Sequence, residues 1–277
     1  MLRQHADELL VDAFLGGVLN GIANAINPVG YHLLFCTLDP NAPGSSYSEL
    51  IRSQRVDGLL ISGPVINETE LHELHEEGVP IVMQGTPDID TIYSVDVDNV
   101  ASAKQAVDHL LELGHTCIAH ITPGPLGYIA SRDRLTGYRQ ALDTAGIDYD
   151  EELVAEGNFT YASGYTAMKR LLNKSNLPTA VFIANDVVAL GAIRAIREAG
   201  LSIPTDMSVI GFDDVPTAGY VYPGLTTIHL PTVSLGKCAG EMLLALINGQ
   251  EPAQQRVLLE TQLVIRGSTS EITYLDL

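Results

Sequence analysis

Six short apolar runs, rich in β-branched residues, recur along the chain without the polar–apolar alternation of a half-exposed strand. Runs of this kind are typical of strands that are covered on both faces, as in the parallel sheets of α/β proteins. The predicted strands are His32–Cys36, Gly58–Ser62, Pro80–Met83, Cys117–Ile121, Ala180–Ala184 and Val209–Phe212.

Segments with helical periodicity lie between these runs. After Asp98 and Asn99, apolar residues share one face up to Gly114, which is a typical helix C-cap. Repeated strand–helix–strand units imply right-handed crossovers and doubly wound sheets. There are too many strands for one small sheet, so we predict two lobes, with a late strand in the closing segment. The other predicted helices are Phe14–Ile26, Asp186 to Gly200 and Val233–Ile247.

Charge and cysteine content limit the possible partners and the compartment. The 277 residues carry 15 Lys and Arg against 34 Asp and Glu, a formal net charge of −19. Such a chain repels phosphate backbones and anionic membranes. No apolar run is long enough to span a bilayer, and no signal-peptide pattern is visible. Cys36, Cys117 and Cys238 are predicted to be free thiols, which indicates a reducing compartment, the cytoplasm.

Polar residues follow the predicted strands, where parallel sheets bind ligands. They are Ser62, Gln84, Thr122, Asn185 and Asp213. Asn185 offers a donor and an acceptor and Asp213 only acceptors, which suits a neutral ligand with many hydroxyls. The alternatives are a helix N-cap for Asn185 and a turn residue for Asp213.

Two further side chains are candidates for ligand contact. Arg134 follows Arg132 near a predicted helix start, where a cation opposes the helix dipole and therefore needs an acidic or ligand partner. The alternative is a salt bridge with Asp133 or Glu156. Phe159 follows a predicted strand and could cover a sugar ring, the alternative being a core phenylalanine.

The familiar catalytic templates are absent from the sequence. There is no G-x-S-x-G elbow, no G-x-G-x-x-G after a strand and no P-loop. His72 and His75 share a face of an acidic helix but lack a third ligand. Asp213 and Asp214 are too close in sequence for the usual carboxylate pair of a glycosidase. We therefore predict a protein that is not an enzyme and that uses no metal or cofactor.

The motifs occur in an order that resembles the lac-repressor family of bacterial transcription regulators. The resemblance runs from about residue 12 to 269. It departs from the family pattern at His229-Leu230-Pro231, where Arg-Gln-Pro is common, and at Asp12 to Leu15, which replaces an N-P-F-F-like segment. The motifs that carry the resemblance are SVDVDNVASAKQAVDHLLELGH, SRDRLTGYRQAL, ANDVVALGAIRAIREAG, DMSVIGFDD, GLTTIHLP and QLVIRGST.

This resemblance implies a periplasmic-binding-protein-like fold of type I, with a sugar-like effector bound between two lobes joined by a multi-crossing hinge. The lobes would be residues 1–95 plus 230–261 and residues 96–229 plus 262–277. The ligand-binding residues that the resemblance implies are Arg134, Asn185, Asp213, Phe159, Ser62 and Phe14.

Partners also follow from the resemblance. The sequence lacks the family's helix-turn-helix pattern, so it is interpreted as an effector-binding core that controls DNA through a headpiece outside it. A homodimer is expected because family members pair. The alternative is an extracytoplasmic sugar-binding protein that feeds a transporter.

Overall fold

The computed structural model describes residues 13–36, 46–64, 69–87, 89–174 and 176–272. The chain divides into two compact units, Met1–Val97 with Pro231–Glu260 and Asp98–Leu230 with Thr261–Leu277. It therefore passes from one unit to the other three times. None of the helices in the described residues is long and apolar enough to cross a membrane.

The first unit is built on a four-stranded parallel sheet in the order β1-β2-β3-β9. The runs Gly58–Ser62 and Pro80–Met83 predicted two of its four strands, and the strand Ile81–Gln84 is buried along its whole length, whereas the other two strands were not among the predicted runs. The strands are β1 Leu59–Ser62, β2 Ile81–Gln84, β3 Tyr93–Val97 and β9 Arg256–Leu259. The helices are α1 Ala13–Ile26, α2 Tyr47–Arg52, α3 Thr69–Glu76 and α9 Thr232–Ile247.

Helices α1 and α9 approach each other closely through glycines. A Cβ atom on Gly21 would lie 2.0 Å from the carbonyl oxygen of Val233, and one on Gly236 would lie 2.0 Å from that of Val18. Any larger residue at either glycine would force the helices apart. These glycines set the helix spacing in the layer that packs beside the first sheet.

The predicted strand His32–Cys36 is wrong, since these residues form no strand in the structure. Leu33 and Leu34 are exposed, and a cavity of about 430 Å³ is lined by this segment, α1, α9 and β1. A strand is stabilised by hydrogen bonds to a neighbouring strand, which apolar composition alone does not supply. The apolar run predicted buried side chains, but in the described part of the chain these residues line a cavity instead.

The second unit is built on a six-stranded sheet in the order β10-β8-β7-β6-β4-β5. All neighbours pair in parallel except β10, which pairs antiparallel with β8 after the chain has passed through the first unit. The strands are β4 Ile118–Thr122, β5 Val154–Glu156, β6 Ala180–Ile183, β7 Ser208–Asp213, β8 Thr226–His229 and β10 Gln262–Val264. The helices are α4 Asn99–Glu112, α5 Ile129–Thr144, α6 Tyr161–Leu172, α7 Asp186–Glu198 and α8 Pro216–Tyr220.

Helix boundaries in this unit follow the capping signals in the sequence. The Asp98 side chain accepts a hydrogen bond from the backbone N of Ala101 at 2.8 Å, which caps α4. Gly114 and Gly200 follow the ends of α4 and α7 with φ of +88° and +83°. The α/β class with parallel, doubly wound sheets is confirmed in both units.

Candidate functional site

Three predicted ligand-binding side chains meet at the carboxyl end of the second sheet. Asn185 follows β6, Asp213 ends β7, and Arg134 reaches them from α5. The Asn185 amide nitrogen donates to Asp213 Oδ2 at 2.6 Å. The guanidinium Nη1 of Arg134 lies 3.6 Å from Asp213 Oδ1. All three side chains are buried, so the fold holds a compact polar cluster at the strand ends.

Arg134 is held from several sides. Its Nε donates to Asn99 Oδ1 at 2.9 Å and its Nη1 to the carbonyl oxygen of Ala184 at 2.7 Å. The guanidinium lies over the Phe212 ring, 3.8 Å from the ring centroid. Its buried charge is balanced by Asp213. The predicted need for a partner is met in this way, and the orientation of the guanidinium is fixed before any ligand binds.

The two consecutive acidic residues after β7 diverge. Asp213 and Asp214 have φ of +114° and +58°, which L side chains rarely adopt. While Asp213 faces Arg134, Asp214 pairs with Arg266 at 2.6 Å and with His229 Nδ1 at 3.0 Å. Each carboxylate therefore has its own partners, which agrees with the prediction that the two do not work as a catalytic pair.

Asn185 serves as a helix cap and as a member of the cluster. Its Oδ1 accepts from the backbone N of Val188 at 3.0 Å, as the capping alternative predicted. Because Oδ1 is used in this way, the amide nitrogen is turned toward Asp213. The side chain is thus oriented by the start of α7.

Asp186, the next residue, is fully buried in α7. Burial raises its pKa to about 7, while hydrogen bonds from Thr227, Val215 and Phe212 act in the opposite direction. The carboxylate thus lies between the start of α7 and the turn that follows β7. Asp186 directly follows Asn185, and its carboxylate accepts from the backbone N of the residues on either side of Asp213 and Asp214.

Of the other predicted site residues, Phe159 lies in the second unit, where its backbone N donates to the carbonyl oxygen of Pro123 just after β4, and Ser62 and Phe14 lie in the first unit. Phe159, with φ of +57°, packs edge-on against Tyr128 at 5.0 Å between ring centroids. In the first unit, the Ser62 hydroxyl donates to Gln84 Oε1 at the end of β1. Phe14 lies in the first turn of α1 and packs on that helix's buried face. Ligand contact by these three residues stays a prediction.

Two residues that support the cluster were not predicted as site residues. Asn99 and Asp186 were interpreted only as the openings of helices, next to Asp98 and Asn185. One capping residue is enough for a helix, so the second polar residue beside each cap was the only signal in the sequence, and it does not reveal that the side chain is buried. In the described residues, no group of three or more His, Cys, Asp or Glu side chains could hold a metal ion.

The cluster offers hydrogen-bond donors and acceptors together with a balanced pair of charges. A guanidinium and an amide can donate, and a carboxylate can accept. Hydrogen bonds to charged groups are stronger than neutral ones, and they gain strength in a buried site. This chemistry suits hydroxyl groups on an uncharged molecule.

Comparison with known proteins supplies the family. A model of the periplasmic binding protein-like domain matches residues 107–269. The transcriptional regulator CelR of Thermobifida fusca is 34% identical over 271 residues, which are 97% of this chain and 79% of CelR. The repressor CytR of Escherichia coli K12 is 35% identical over 264 residues, covering 94% of this chain and 76% of CytR.

Solved structures agree with these relatives. A complex of the regulator CelR with cellobiose is similar with a TM-score of 0.86 and 35% identity, covering 96% of this chain and 83% of that one. A LacI-family regulator from Enterococcus faecium with bound ribose has a TM-score of 0.85 and 28% identity, with 98% of each chain covered.

These relatives are regulators of transcription, which favours the predicted regulator over the transporter protein and confirms that the chain is not an enzyme. The predicted periplasmic-binding-protein-like fold is confirmed as well. The chain is the effector-binding core of a bacterial transcription regulator and belongs to the lac-repressor (LacI) family.

Proposed function

We propose that the chain binds a neutral sugar through Arg134, Asn185 and Asp213. The observation that carries this proposal is the buried contact of the three side chains at the carboxyl end of the second sheet. Arg134 and Asp213 balance each other, so a neutral guest leaves no buried charge unpaired. An anionic guest would compete with Asp213 for the guanidinium and expose the carboxylate to a like charge. The cellobiose and ribose bound by two similar structures support a sugar.

In the regulator, this sugar would act on DNA through a helix-turn-helix headpiece. A ligand changes the affinity for DNA only if it binds two states of the protein unequally. The formal net charge of −19 makes direct DNA contact by these 277 residues unfavourable. The core would therefore sense the sugar while the headpiece reads the operator.

Titration calorimetry tests the sugar proposal. We expect saturable binding of at least one neutral sugar from a panel with cellobiose, ribose and common mono- and disaccharides, because a sugar leaves the Arg134–Asp213 pair balanced and brings hydroxyl groups that can donate to the carboxylate and accept from the guanidinium. Sugar phosphates and purine bases serve as contrasting ligands. Binding of a phosphorylated sugar or a base, with none of the neutral sugars, would overturn the proposal.

We also propose that the chain forms a homodimer in the cytoplasm. Tyr220 and Tyr222, at the end of α8, are 86% and 88% exposed, which is unusual for aromatic side chains so close together. Aromatic residues are enriched at protein interfaces. Cys36, Cys117 and Cys238 form no disulfide, which fits a reducing compartment.

Sedimentation measures the proposed dimer directly. We expect a dimer for the unaltered chain at micromolar concentration and a shift toward monomer for the double variant Tyr220→Glu/Tyr222→Glu, because buried carboxylates oppose association. Val29→Glu is the control, since Val29 is exposed in the first unit. A monomer at every concentration, or a dimer that the double variant leaves unchanged, would contradict this proposal.

A further inference from the structure

The carboxylate of Asp186 receives three hydrogen bonds from outside its own helix. Its Oδ1 accepts from the backbone N of Phe212 at 2.9 Å and from the hydroxyl of Thr227 at 2.8 Å. Its Oδ2 accepts from the backbone N of Val215 at 3.0 Å. Since Asn185 already caps α7, the Asp186 side chain is directed to strands β7 and β8 and to the turn beyond β7.

Two of these donors bracket the turn that carries Asp213. Phe212 precedes the turn and Val215 follows it, so one carboxylate holds both ends. Between them, Asp213 and Asp214 have φ of +114° and +58°, conformations that persist only when the surroundings impose them. The side chain of Asp213 reaches Asn185 from this conformation.

Strand β7 is shaped to admit the Asp186 carboxylate. A Cβ atom on Gly211 would lie 2.1 Å from Asp186 Oδ1, so only glycine leaves room there. Gly211 lies one residue before Phe212, whose backbone N is a donor to the same oxygen. The position of the carboxylate is thus defined by strand, turn and helix together.

We propose that Asp186 is a positioning residue of the sugar site. It holds the turn after β7 in the left-handed conformation that presents the Asp213 carboxylate to Asn185 and Arg134, and it acts without contact to the sugar. The inference rests on the proposed function, because it treats Asp213 as a sugar contact. Asp186 would thus affect the sugar affinity indirectly, through the turn that carries Asp213.

The test compares Asp186→Asn with Thr227→Val at pH 8, where Asp186 is ionised. The asparagine oxygen is expected to stay with the two donors at the Oδ1 position, so that its NH₂ group opposes the N–H of Val215. Thr227→Val removes a buried hydroxyl but leaves both turn hydrogen bonds in place. Thr227→Val therefore serves as the control for a general loss of stability in which the turn stays held.

Hydrogen exchange in the sugar-free protein is measured first. We expect amide exchange in residues 212–215 to become at least tenfold faster in Asp186→Asn and to change little in Thr227→Val, with β6 unaffected in both. Calorimetry with cellobiose, and with ribose, should then show at least tenfold weaker binding for Asp186→Asn and less than threefold for Thr227→Val.

The outcomes separate this inference from the proposed function. Faster exchange of the turn with unchanged sugar affinity would overturn the positioning role and leave the sugar site intact. Unchanged exchange would overturn it as well. If the unaltered protein binds no sugar of the panel, the proposed function fails and the inference fails with it. Gly211→Ala, which displaces the same carboxylate, replaces Asp186→Asn if that variant does not fold, and the same results are expected.

Discussion

We expect sugar binding to fall at least 100-fold when Arg134 is replaced by methionine, and the protein to become about 3–5 kcal/mol less stable. Methionine keeps much of the side-chain volume but donates no hydrogen bond to the carbonyl of Ala184, to Asn99 or to a ligand. The stability loss arises because Asp213, 4% exposed, remains buried opposite a neutral side chain. Calorimetry and denaturant unfolding measure the two effects separately.

A double variant distinguishes the two roles of the ion pair. In Arg134→Met/Asp213→Asn no unbalanced charge is left, so we expect about 2 kcal/mol of the stability to return while sugar binding stays lost. Arg132→Met is the control, because Arg132 is exposed in the same helix and should change neither quantity. Retention of sugar affinity within tenfold in Arg134→Met would refute the assignment of this site.

Much of the fold could be predicted because local and tertiary signals agree. The runs at 180–184 and 209–212 are buried in the centre of the second sheet, where apolar composition and parallel pairing coincide. The run at 32–36, HLLFC, is also largely apolar but has no β-branched residue, and it forms no strand. Its conformation depends on which segment pairs with it, and that partner is not encoded in the run.

The site residues likewise divide into those that the sequence predicts and those that depend on tertiary packing. The rule that ligands bind at carboxyl ends of parallel strands selects Asn185 and Asp213 without any structure. Asn99 and Asp186 escaped because their partners are 35 and 26 residues away, in Arg134 and Phe212. A hydrogen bond across that distance is set by how helices pack on the sheet. Sequence pattern finds the surface that meets the ligand more readily than the residues that support it.

We expect a buried histidine in the second sheet to make the protein sensitive to acid. His120 lies in β4, fully buried, stacked between the rings of Tyr138 and Phe182 at 5.0 and 4.9 Å between centroids. Its Nδ1 lies 3.0 Å from the carbonyl oxygen of Phe182, and its Nε2 has no hydrogen-bond partner among the described residues. Burial lowers the pKa of His120 to about 3.

The sign of the pH effect follows from where the proton binds. In the unfolded chain, histidine takes up a proton near its ordinary pKa of about 6.5, whereas the folded chain takes it up only near 3. Between these values the unfolded state binds more protons, so stability is lost as the pH falls. From pH 7 to pH 5 the loss due to His120 is about 2 kcal/mol.

The variant His120→Phe isolates this effect, since phenylalanine fills the stack without titrating. At pH 7 we expect it to be about 1 kcal/mol less stable, because the carbonyl of Phe182 loses its donor. Between pH 7 and 5 the free energy of unfolding of the unaltered protein should fall by about 2 kcal/mol relative to the variant. Asp186 is present in both proteins, so its titration cancels. As a control, His72→Gln at an exposed position should show the same pH dependence of the free energy of unfolding as the unaltered protein. Parallel pH profiles for His120→Phe and the unaltered protein would show that His120 does not set the acid sensitivity.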